Sequence, residues 1–181
     1  MLQVDLAHLR RFRSWRVIAV NNTWELVPWA DVLYACDLVW WERYGDRASA
    51  FAGERWTMNS AAALLYRLKK VGKRDGQGLC PDRGYVNTGG NGGYQAVNLA
   101  YHFGARRIVL LGFDMHRNNG GHWHGEHEDM LSAPDSHISC WVRMFEPLAR
   151  DLMALGVDVV NATPGSALPW FPMKPMAEAL R

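Results

Sequence analysis

The stretch NTGGNGGYQAVNLAYHFGARRIVLLGFDMHR, Asn87 to Arg117, concentrates the groups that could do chemistry. Gly89, Gly90, Gly92 and Gly93 flank Asn91, directly ahead of an amphipathic run. Glycine lets a backbone adopt positive φ and come close to a ligand. A helix that begins there carries unpaired N–H groups and about half a positive charge at its amino end. Phosphate is the natural guest of such an end. Gly90, Asn91, Gly92 and Gly93 are therefore candidate anion-binding residues. The pattern is neither a G-x-G-x-x-G after a strand nor a P-loop, since no G-K-[ST] follows. The competing reading is a tight turn that lets the helix pack closely on a sheet.

Histidines form the second group. Asp114 to Asp129 reads DMHRNNGGHWHGEHED. His122, His124 and His127 have an H-x-H-x₂-H spacing that a transition metal can use, with Asp114 or Glu126 as a fourth ligand. The stretch is a Gly/Asn-rich loop without cysteine, however, and the adopted reading is metal-free. Residues 115–135 read either as a lid whose histidines meet phosphate or act as acid and base, or as a plain solvated loop. Further on, His137 follows Ser136 at a helix start. A histidine there suits a general base working near neutral pH. Its plainer reading is a cap or core residue.

These groups need a scaffold, and the surrounding pattern supplies one. VDLAHLRRFR (residues 4–13) has a weakly helical spacing. WRVIAVN (Trp15 to Asn21) and the run near Val32–Cys36 read as buried strands. LVWWERYG predicts a short helix stopping at Gly45, and RWTMNS a short third strand. SAAALLYRLKKVG opens as a helix with Ser60 as its N-cap, though its second half also fits an edge strand. A long glycine-rich loop precedes the helix YQAVNLAYHF, which ends at Gly104. RRIVLLGFD is the clearest strand, and its continuous apolar run marks a central parallel strand covered on both faces. A helix over 137–155 and the strand VDVVNA follow, then a tail from 169 to 181. Alternating strands and helices predict a single α/β domain over residues 1–181, Rossmann-like, with a mostly parallel central sheet in three layers.

In open parallel sheets ligands collect at the carboxyl ends of strands. Three strands end there in polar residues: Asn21 and Asn22, then Asp37, then Asp114. Amides can read a base or ribose, and carboxylates can hold ribose hydroxyls. Asp114 also fits a plain turn residue.

Bulk composition narrows the classes. The chain has 181 residues, 49% apolar and 21% charged, with a net charge of +2. That is a globular composition of one domain's length. The charge is too small to argue for a nucleic-acid partner, without excluding one. HLRRFRSWR, the densest basic run, reads as a solvated helix face. Cys36, Cys80 and Cys140 lie far apart without a C-x-x-C pair, which fits reduced, cytoplasmic cysteines. No run is apolar enough for a membrane span. Nine tryptophans are unusual. They read as core or subunit contact, and Trp40–Trp41, if exposed, as a platform for a sugar or base.

VIAVNNTW…ADVLYACD, NGGYQAVNLAYHFGARRIVLLGFDM and SHIS…LARDLMALGVDVVNATPGSAL together resemble the bacterial lipooligosaccharide sialyltransferases of glycosyltransferase family 42. They equally resemble the 6-hydroxymethylpterin diphosphokinase-like family, and many phage-borne proteins share the pattern. The match covers about residues 15–170, most specifically the segment ending in LLGFDM. It implies a metal-free enzyme that needs no bound cofactor, takes a cytidine nucleotide sugar as donor and transfers the sugar to a hydroxyl acceptor of unknown identity. It would place Asn21 on the donor nucleotide, the Gly90–Gly93 loop at its phosphate or base, and His137 as catalytic base. His116 and His122 fall where the family has two tyrosines that steady the leaving phosphate. The family opens with a strand and a G-x-G-P-S-L turn, whereas MLQVDLAHLRRF looks like the helix after that turn. A missing first strand would leave a gap in the sheet, which a second subunit could cover. Two other readings stand beside this one. One is a pterin-type diphosphate transfer, with Asp37 and Asp114 toward Mg²⁺. The other is a non-catalytic phage or prophage accessory module on a degenerate nucleotide-binding fold.

Overall fold

The structure is a computed structural model that describes residues 6–11, 14–116 and 135–181. Its strands pair in parallel, and helices lie on both of their faces, so the chain is a mixed α/β protein compatible with a Rossmann-like domain. The strands fall in three small sheets rather than one large one.

The amino half builds the first sheet. After helix α1 (Leu6–Leu9) come β1 (Ile18–Val20), β2 (Val32–Tyr34), β3 (Glu54–Thr57) and β4 (Lys69–Lys70), hydrogen-bonded in that order. Alternation sorts their side chains. Ala19, Leu33 and Ala35 face one layer with Trp40, Trp41 and Ala62 of helices α2 (Leu38–Ala48) and α3 (Ser60–Leu65). Ile18, Val20, Tyr34 and Cys36 face the other layer, where α4 (Gly92–His102) contributes Ala96 and Leu99. Residue 71 is a switch point. Its N–H still bonds Thr57, while the next strand, β5 (Gly72–Arg74), pairs with β6 (Tyr85–Asn87).

The carboxyl half is smaller. β7 (Arg107–Leu110) pairs with β8 (Asp158–Asn161) over four residues. Ile108, Leu110 and Val159 meet Tyr94 and Val97 of α4, with Phe145, Leu148 and Leu152 of α5 (Asp135–Ala154). Val109 and Val160 face the opposite way, toward Ala179 of α6 (Met176–Ala179).

Several expectations change. Trp40 and Trp41 are 1% and 0% exposed, so they are core and not a stacking platform. The Trp41 indole donates to Ala35 O at 2.9 Å and that of Trp40 to Asn22 Oδ1 at 2.7 Å. α2 runs through Gly45 instead of stopping there. A Cβ on Gly45 would lie 2.5 Å from the Tyr66 ring, so glycine serves helix packing. The N-cap of α3 is Asn59, not Ser60; its Oδ1 accepts from Ala62 N at 3.0 Å. Within its second half only Lys69–Lys70 is strand, at the edge of the first sheet. β6 was hidden in the glycine-rich loop, because three residues are too few to show a period.

Leu148 sits on the apolar stripe of α5 with no exposed surface, whereas Met153 is 75% exposed. Leu148→Ala should cost about 2–5 kcal/mol of unfolding free energy. Met153→Ala should stay within about 0.5 kcal/mol. Urea denaturation at constant m-value checks both.

Candidate functional site

The glycine-rich turn sits where the carboxyl ends of β1 and β7 converge. Gly89 and Gly90 have φ of 51° and 77°, the left-handed region that favours glycine. The turn then straightens at Asn91 (φ −151°), which caps α4. Its Oδ1 accepts from Tyr94 N at 2.8 Å, and its backbone carbonyl accepts from Gln95 N at 3.3 Å. One orphan amide of the first turn is thus satisfied from within. The N–H groups of Gly92 and Gly93 keep no partner among the described residues.

Close approach explains each glycine. A Cβ on Gly89 would lie 2.1 Å from the Tyr94 ring, and one on Gly90 would lie 2.6 Å from Trp141 Nε1. A Cβ on Gly92 would be 3.2 Å from Val20, and one on Gly93 would be 2.9 Å from Phe113. The turn is therefore wedged between β1, the end of β7 and α5. Asn21, with φ 49°, follows Val20 directly and so lies on the β1 side of the turn.

α5 brings the base candidate to the same place. His137 is exposed, one helical turn before Trp141, with ring centroids 6.4 Å apart. Trp141 is the residue that sequence reasoning missed. Its i, i+4 relation to His137 was the available signal, but only the fold puts its indole on Gly90.

The turn after β7 is tied to the loop after β8. Phe113 N donates to Thr163 Oγ1 at 2.9 Å, and Ser166 Oγ donates to Phe113 O. The Asp114 carbonyl accepts from Ala167 N at 2.8 Å. Met115 has φ 53°, and His116 Nε2 meets Gly165 O at 2.9 Å. A carbonyl can only accept, so Nε2 is the donor here.

The other candidates are more dispersed. Asn22 holds Trp40 through its side-chain oxygen. Asp37 stands at the N-cap position of α2 without capping it; its carboxylate accepts from Cys36 Sγ at 3.1 Å. Burial, followed by the Asp37 charge, pushes the Cys36 thiol well above its ordinary range, so this sulfur is a packed thiol. His122 lies outside the described residues, as do His124, Glu126 and His127 of the metal alternative. Among the described residues no group of three His, Cys, Asp or Glu side chains is arranged to hold a metal ion. No described helix is long and apolar enough to cross a membrane.

The chain matches no protein-family model, no curated protein and no solved structure.

Asn91→Ala should cost about 1 kcal/mol, read as a lower Tm, and Asn91→Asp should restore most of it because the cap oxygen returns. Tyr94 gives a pH test. Its hydroxyl donates to Gly78 O at 2.7 Å, and burial pushes its pKa from 10.0 up to about 12. The unfolded chain loses that proton first. The stability tied to Tyr94 is therefore intact below pH 10 and is lost as pH rises to about 12. Tyr94→Phe should flatten this part of the stability–pH curve.

Proposed function

We propose that the chain is a nucleotide-binding, glycosyltransferase-like enzyme of the sialyltransferase type. The observation that carries this reading is the pair of unpartnered amides of Gly92 and Gly93, at the carboxyl ends of β1 and β7, with Trp141 and His137 alongside. Unpartnered amides at a helix start, beside the carboxyl ends of parallel strands, favour a phosphate. An aromatic ring beside them favours a base or sugar face.

In this reading the donor phosphate rests on the Gly92 and Gly93 N–H groups, with Asn21 toward the nucleoside. His137 takes the proton of the acceptor hydroxyl as its oxygen bonds the sugar's anomeric carbon. The bond from that carbon to the phosphate oxygen breaks, and the nucleotide leaves with the electron pair. The Gly92 and Gly93 amides stabilise the charge that develops there, without His116, whose Nε2–H is given to Gly165 O. The sugar and the acceptor are left open.

One observation favours a second reading, the non-catalytic module. β1 and β7 share no neighbouring strand among the described residues, so the floor of the site is incomplete. No observation favours pterin diphosphate transfer, which would ask Asp37 and Asp114 to hold Mg²⁺.

Calorimetry with a panel of cytidine and other nucleotides tests the proposal. Asn91→Asp should weaken nucleotide binding at least about tenfold with stability kept, since its carboxylate faces the same anion. Gly92→Val should also weaken binding, at some cost in stability, by crowding Val20. His137→Ala should keep binding and lose transfer. No binding of any nucleotide at millimolar concentration would favour the module.

A further inference from the structure

The small net charge of the chain hides an asymmetry. Residues 54–85 carry seven Lys or Arg against three Asp or Glu, whereas the whole chain is only +2, so the remainder is net negative. Two of the three carboxylates are used locally, Glu54 by Lys69 and Asp82 by Arg74. Among the described residues no ion pair engages Arg55, Arg67, Lys70, Lys73 or Arg83.

The run 69–74 sets two of these cations around an aromatic ring. Val71 N bonds Thr57 O on one side of the run, and Gly72 N bonds Gly84 O on the other. β3 thus flanks the run through β4, and β6 flanks it through β5. Side chains alternate between faces along a strand. Val71 and Val86 are buried with Ala96 and Leu99 of α4, so Lys70, Gly72, Arg74 and Tyr85 take the opposite face. Gly72 lies beside Tyr85 in the register and midway between Lys70 and Arg74. The tyrosine ring fills the place of a Gly72 side chain, since a Cβ there would lie 2.4 Å from it. The Arg74 guanidinium carbon stands 4.4 Å from the ring centre, and its Nη2 bonds Asp82 Oδ2 at 2.9 Å. Asp82 is fixed in turn, because its Oδ1 accepts from Gly84 N at 2.9 Å. The arginine is therefore set on the ring before any partner arrives.

This face stays open. α3 closes over the inner strands with Ala62 buried, and its first residue, Ser60, meets Lys70 Nζ at 3.3 Å. Tyr85 is 39% exposed and joins no buried cluster. Lys70 and Arg74 stand about 13 Å apart along the strand, on either side of the ring. Arg83 lies in the turn two residues before Tyr85, as Lys70 lies two before Gly72. A ring held between cations on an open sheet face suits a chain of phosphates and unpaired flat bases. Any base offers a π-face to the tyrosine or the guanidinium plane, while the cations meet phosphates. An acidic peptide would use the charge and leave the ring idle. A duplex would keep its bases stacked on each other.

We infer that the α3-side face of β5 and β6, centred on Tyr85, binds single-stranded nucleic acid through Tyr85, Arg74 and Lys70 without reading its sequence. Fluorescence anisotropy of a labelled oligothymidylate with the intact chain at low salt tests this. Tyr85→Leu keeps Gly72 covered and should weaken binding about tenfold, while Tyr85→Phe should match the parent. Lys70→Gln combined with Arg74→Gln should also weaken it, and should flatten the slope of log affinity against log salt by about 1.4 for two lost phosphate contacts. Arg150→Gln combined with Arg181→Gln removes the same charge elsewhere and should leave that slope unchanged. No binding at low salt would overturn the proposal, as would equal losses from the two charge pairs or equal affinity for a duplex of the same length. Polyphosphate that competes as well as unlabelled oligothymidylate would overturn it too, because charge alone would then be the attraction. So would displacement by cytidine monophosphate, which would move the strand to the glycine turn. The substituted residues lie outside that turn, so failure here leaves the nucleotide reading standing.

Discussion

The two-sided docking of α4 is the constraint on which the rest of the structure depends. Ala96 and Leu99 bury against the sheet of β1 to β4, while Tyr94 and Val97 bury against β7 and α5. No strand joins the two halves among the described residues, so this helix aligns them. Its buried polar residues tie it down alongside its apolar ones. Gln95 accepts from Tyr34 Oη at 2.9 Å and donates to Thr88 O at 2.7 Å. Asn98 accepts from Cys80 N at 3.0 Å, and the His102 ring meets Cys80 O at 2.8 Å. Buried polar groups satisfied in this way fix one register, because any slip would strand them without partners.

The position of α4 determines what its amino end can do. Wedged between Val20 and Phe113 and roofed at Gly90 by Trp141, the glycine turn is a packed element rather than a loose loop. Packing and binding are not rivals here. The same lack of side chains that admits the neighbouring rings leaves the Gly92 and Gly93 amides uncovered by their own residues. The Asn91 cap occupies the Tyr94 amide, so fewer first-turn amides are left without a partner than the glycine count suggests.

Much of this was legible in the sequence where a pattern ran long enough. The helix after the glycines, its end at Gly104, the strand in RRIVLL and the helix carrying His137 all follow from period and punctuation. Short elements were not legible: β6 has three residues and takes its identity from pairing with β5. Gly45 and Ser60 misled because local signals were overridden, by the Tyr66 ring in one case and by a better cap one residue earlier in the other. Of the candidate site, the glycine turn and His137 could be named in advance. Their common neighbour Trp141 could not, since only tertiary packing brings the start of α5 to the turn. Asn22 looked equally available and instead holds the Trp40 indole.

Backbone amide NMR of the intact chain during titration with cytidine monophosphate tests the central claim most directly. The claim predicts that the Gly92 and Gly93 resonances move together and saturate, while that of Tyr94, held by Asn91, moves less. Gly92 and Gly93 signals that stay in place at millimolar nucleotide would contradict it.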